Sequence, residues 1–101
     1  MSTQQLNDRR TAEANAAFQA YDFGTAVVES ADGWNRSLPG TEMVRTIYLA
    51  PEKDGEPTER AYFTVRFSGL DTSLISEAYA ITVKGGIFGT EGARADALAT
   101  A

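Results

Sequence analysis

Histidine and cysteine are both absent from this chain of 101 residues, and that absence decides which chemistry remains. General acid–base work near neutral pH falls most often to histidine, whose proton leaves in that range. Neither a Ser-His-Asp nor a Cys-His device can be assembled within the chain. A zinc site lacks its usual nitrogen and sulfur ligands, and no disulfide or thiol nucleophile is available. Carboxylates, tyrosines, hydroxyls, lysines and arginines are left.

The carboxylates gather mainly in one stretch, Glu52, Asp54, Glu56 and Glu59. The Asp-x-Asx spacing of a calcium loop is hinted at, but the distal glutamate and flanking helices of an EF-hand are missing. The stretch therefore reads as a solvated turn, as does the pair Glu29 and Asp32. The glycine-rich pieces Lys84-Gly85-Gly86 and Gly89-Thr90-Glu91-Gly92 match neither phosphate-binding fingerprint and read as bends at a sheet corner. No cofactor and no metal is expected.

Tyrosine and arginine carry the sharper signal. Residues 43–49 and 61–67 are two runs of alternating apolar and polar character, joined by a segment containing Asp54-Gly55 between Pro51 and Pro57. Such a pattern predicts a β-hairpin. Setting Leu49 opposite Ala61 places Ile47 opposite Phe63, Arg45 opposite Val65 and Met43 opposite Phe67. The other face then pairs Tyr48 with Tyr62, Thr46 with Thr64 and Val44 with Arg66. Arg45 stands among apolar residues and must reach a rim or a carboxylate, because an unpaired buried charge is costly. Tyr48, Tyr62 and Arg66 share a face, and these residue types are enriched at protein-interaction hot spots. Trp34, the only tryptophan, follows the Ala31-Asp32-Gly33 turn and either plugs one end of the core or joins the contact surface. The candidate interaction residues are thus Tyr48, Tyr62, Arg66 and Trp34.

These side chains need a scaffold. Ser2 and Gln5 have capping-box spacing, and the Ala-rich stretch behind them favours a helix over residues 2–21. Leu6, Ala14, Ala17, Phe18 and Tyr21 form its apolar stripe; Asn7, Asp8, Arg9, Glu13 and Gln19 are expected to face water. Residues 25–30 and 77–84 have strand character, the latter with Tyr79, Ile81 and Val83 on its core side. Residues 90–101 read as a tail. The fold class is α+β, a single domain with an N-terminal helix packed on an antiparallel sheet of about four strands. The expected core comprises Ala17, Phe18, Val28, Ile47, Leu49, Phe63, Val65, Phe67, Ile81 and Val83. One helix covers one face, which leaves the tyrosine face open.

Charge narrows the partners. With 9 Lys and Arg against 14 Asp and Glu the net charge is −5, so nucleic acid is not an expected ligand; phosphate binding draws on clustered cations. No apolar run approaches the roughly 20 residues of a membrane span, and no leader is evident, so a cytoplasmic protein is expected. The leading expectation is a small acidic, non-enzymatic interaction module, an inhibitor or accessory subunit, binding another protein or itself as a homodimer. A second expectation is a small-ligand binder, or a carboxylate- and tyrosine-based enzyme, with a pocket between helix and sheet using Tyr21 or Tyr79 with Arg45. A third is an acidic mimic of nucleic acid.

Overall fold

The computed structural model describes residues 2–36, 41–83 and 87–88. One helix, α1 (Thr3–Ala20), is followed by β1 (Val28–Ala31), β2 (Asn35–Arg36), β3 (Glu42–Leu49), β4 (Glu59–Phe67), β5 (Ile75–Thr82) and β6 (Ile87–Phe88). All pairings are antiparallel. The sheet order is β1-β3-β4-β5-β6, with β2 also on β3. The expected α+β fold is present: β1, β3, β4 and β5 are the longer strands, and β2 and β6 have two residues each. The glycine-rich pieces around residues 84–86 and 89–92 and the tail over 90–101 lie outside the described residues, as do residues 37–40.

The helix starts where capping chemistry dictates. The Ser2 hydroxyl accepts from the Gln5 amide at 3.1 Å, and the Gln5 side chain accepts from the Ser2 amide at 2.9 Å. Two otherwise unsatisfied N–H groups of the first turn are thereby paired. The buried stripe runs through Arg10 and Ala14, with Ala17, Phe18 and Tyr21 packed beside them. Asn7, expected in water, is half-buried, one helical turn before Arg10. Gly24 follows the helix with φ +65°, a conformation that strains any residue bearing a Cβ.

The hairpin is present with a different register. Leu49 stands opposite Glu59, Ile47 opposite Ala61, Arg45 opposite Phe63 and Met43 opposite Val65. This is a slip of two residues from the pairing expected above. Side chains alternate with a period of two, so a slip of two leaves every residue on its expected face and only changes its neighbour. Gly55, φ +89°, forms the turn, and the Glu56 amide donates to the Lys53 carbonyl at 3.2 Å.

The core lies between α1 and one sheet face: Ala14, Met43, Ile47, Leu49, Ala61, Phe63, Val65, Phe67 and Ala80. Phe63 is its centre, fully buried, with Phe18 at 5.1 Å, Tyr21 at 5.1 Å and Trp34 at 6.1 Å, all edge-on. Edge-to-face pairs of this kind contribute about 0.5–1.5 kcal/mol each beyond area burial. The expected core side of β5 is reversed. Ala78 and Ala80 pair with Val65 and Phe63 and so face the helix, while Tyr79 and Ile81 face away. Val83, expected in the core, follows the end of β5 and is 55% exposed. The cause is steric: the Tyr21 hydroxyl accepts from the Ala80 amide at 3.3 Å, so the phenol tip sits on the strand and only a methyl group fits beneath it.

Candidate functional site

The sheet face turned away from α1 is a set of cross-strand rows, each fixed by the β3–β4–β5 register. At one end Glu42, Arg66 and Glu77 stand side by side. Next come Val44, Thr64 and Tyr79, then Thr46, Tyr62 and Ile81, and last Tyr48 opposite Arg60, with Ser30 beyond Tyr48. Tyr48 and Tyr62 are therefore diagonal neighbours rather than a direct pair. Arg60 stands across from Tyr48 and two residues before Tyr62 on the same side of the same strand.

Accessibility divides this face. Thr64 and Tyr79 are buried at 7% and 8% exposure, whereas Tyr62 is 36% exposed and Arg60 is exposed. Exposed positions thus lie at both ends, Arg60 and Tyr62 beside half-buried Tyr48 at one and Arg66 at the other. Arg66 belongs to the other end and is engaged there, with Glu77 at 2.9 Å and Glu42 at 3.7 Å. Among the described residues Arg60 makes no ion pair. Its position was legible in the alternation, since it precedes Tyr62 by two; ending the strand at Ala61 hid it.

Tyr48 is oriented by Asp32. Its hydroxyl donates to the Asp32 carboxylate at 2.9 Å, and this bond, which favours the protonated phenol, holds the Tyr48 pKa above its ordinary value. The backbone carbonyl of the same Asp32 accepts from Arg45 Nε at 2.9 Å on the helix side. Asp32 is itself tied to β3, its amide donating to the Thr46 carbonyl at 2.9 Å.

Trp34 lies on the helix-covered side, not with the tyrosines. Its indole N–H donates to Asn15 Oδ1 at 2.8 Å, and its ring meets Phe18 and Phe63. Arg45 is half-buried in the corner these rings make, its guanidinium carbon 4.7 Å from the Phe18 centroid and 4.9 Å from that of Trp34. Two aromatic faces and a carbonyl thus surround the cation at the place where a rim or a carboxylate was expected.

The groups of the expected ligand pocket divide between the two faces. Tyr21 and Arg45 lie on the helix side, each engaged as described, and Tyr79 lies on the opposite face. Glu52, Asp54, Glu56 and Glu59 are exposed, and among the described residues no group of three acidic side chains is arranged to hold a metal ion. No helix among the described residues is long and apolar enough to cross a membrane. Comparison with protein-family models, with curated proteins and with solved structures finds no match for this chain.

Proposed function

We propose that this chain is a non-enzymatic protein-interaction module, an inhibitor or accessory subunit, binding a partner protein through the sheet face opposite α1. The observation that carries this reading is the triangle of exposed Arg60 and Tyr62 with half-buried Tyr48 on a sheet whose other face is occupied by the helix. Tyrosine and arginine supply contact area and hydrogen bonds with little loss of side-chain freedom for the rings, the profile of interface hot spots. In the next row Thr64 and Tyr79 are already buried. Arg66 and its two glutamates border the face as a polar rim. A second copy of the chain is the other partner this reading admits, because a domain of this size buries only about 60–65% of its unfolded surface.

The test combines light scattering with quantitative affinity capture, comparing the native chain with Tyr62→Ser and Arg60→Ser. Both substitutions sit at exposed positions, so circular dichroism is expected to be unchanged. Association is expected to weaken about tenfold or more for each, the effect of losing a hot-spot residue. If self-association and every captured complex persist at native strength in both variants, the reading is overturned.

A further inference from the structure

A second surface lies at the same end of the sheet on the opposite side. The segment between α1 and β1 crosses the end of β3, held by the Ala50 amide donating to the Val27 carbonyl at 2.8 Å and by the Ala26 amide donating to the Phe23 carbonyl at 3.2 Å. Under this crossing run two adjoining cavities of about 330 and 300 Å³, sharing Thr25, Ala26, Leu49, Glu52 and Glu59 in their walls. Phe23 lines one and Val27, 61% exposed, lines the other. The walls thus join apolar side chains with two carboxylates. Among the described residues no lysine or arginine lines either cavity, and neither Glu52 nor Glu59 forms an ion pair.

We propose that this groove receives a basic aliphatic side chain, lysine in the first instance, from an exposed segment of a partner protein. The argument is complementarity of charge and of shape. A lysine lays its methylene stem along apolar surface while its ammonium stays in a polar setting, and here the apolar wall and two exposed carboxylates without an ion pair among the described residues occur together. The net charge of −5 steers a basic segment toward the chain before contact. Each cavity is at the small end of the about 300–1,000 Å³ range of ligand sites, which suits one side chain entering from solvent rather than an enclosed metabolite. The proposal does not depend on the tyrosine face, which lies across the sheet.

The experiment follows backbone amide shifts of the full-length protein during titration with a short synthetic peptide containing adjacent lysine and leucine. The same peptide with norleucine for lysine, and with glutamate for lysine, serve as the other arms. Shifts are expected at Ala26, Leu49, Glu52 and Glu59 with the lysine peptide alone. Affinity is expected to fall about tenfold in Glu52→Gln/Glu59→Gln, two exposed charges at about 0.7 kcal/mol each. It is also expected to fall on raising salt from about 0.05 to about 0.5 M. Tyr62→Ser is expected to bind the peptide like the native chain, which separates this groove from the tyrosine face. Should the double variant not fold, Glu52→Gln alone, outside any strand, decides with a smaller loss of about threefold. The proposal is overturned by absence of shifts at these amides, by equal binding of the norleucine peptide, or by unchanged affinity in the glutamine variants.

Discussion

The hydroxyl of Tyr48 and the carboxylate of Asp32 meet at 2.9 Å at the edge of the sheet, and the bond exists only while the phenol keeps its proton. The folded-state pKa is raised, so this contribution to stability is fully present below the ordinary tyrosine value of about 10 and is lost as the pH rises through the folded value. NMR titration of ring-labelled tyrosine is expected to show Tyr48 ionising later than free tyrosine. In Asp32→Asn the midpoint is expected to move down toward the free value, because the neighbouring negative charge and its acceptor are weakened. A Tyr48 midpoint unaffected by that substitution would count against the bond.

Arg10 holds the helix to the β4–β5 connection. Its Nε donates to the Thr72 carbonyl at 2.8 Å and its Nη2 to the Gly69 carbonyl at 2.7 Å, with the guanidinium 4.7 Å from the Phe67 ring centroid. Arg10→Ala leaves two half-buried carbonyls without these donors and is expected to cost about 2–3 kcal/mol, measured by urea unfolding. Arg10→Lys is expected to recover less than half of that, because a single ammonium cannot reproduce a planar fork that donates twice and stacks on an aromatic ring.

Ala14 is fully buried and sets how closely α1 approaches the sheet. Ala14→Leu gains helix-compatible apolar surface yet has no space for it. The expected result is a loss of about 1–3 kcal/mol, read from the urea midpoint with the slope unchanged. A stabilised variant would mean that the helix can ride further from the strands.

Partner binding separates the two arginines of β4. Arg66 already has two glutamate neighbours and stands at the far end of the face, so Arg66→Ser is expected to alter association less than threefold, in line with a rim charge. Arg60→Ser is expected to alter it about tenfold. The comparison is made in one affinity-capture series, and a reversed order would move the contact centre to the other end of the sheet.

Alternation made the two faces of the hairpin legible, and capping chemistry made the helix legible; both signals are local and periodic. The register was not, because a slip of two preserves every face and so leaves no trace in the pattern. Yet that slip is what brings Arg60 rather than Tyr62 opposite Tyr48. The orientation of β5 was hidden for a different reason. Ile81 and Val83 outrank Ala78 and Ala80 in hydrophobicity, but the room left beneath Tyr21 and beside Phe63 decides the matter, and only tertiary structure sets that room. Arg10 falls on the helical stripe by spacing, four residues before Ala14, although its type suggests solvent. The carbonyls that receive it lie 59 and 62 residues away in the chain.

The two ends of α1 are fastened by unlike means, a guanidinium bolt into the 68–74 connection near the start and an aromatic socket of Phe18 and Tyr21 around Phe63 near the finish. The guanidinium links the first half of the helix to that connection through two backbone carbonyls. Hydrogen exchange is expected to show amide protons of this half and of residues 68–74 sharing one opening free energy, set apart from that of the central strands β3 and β4.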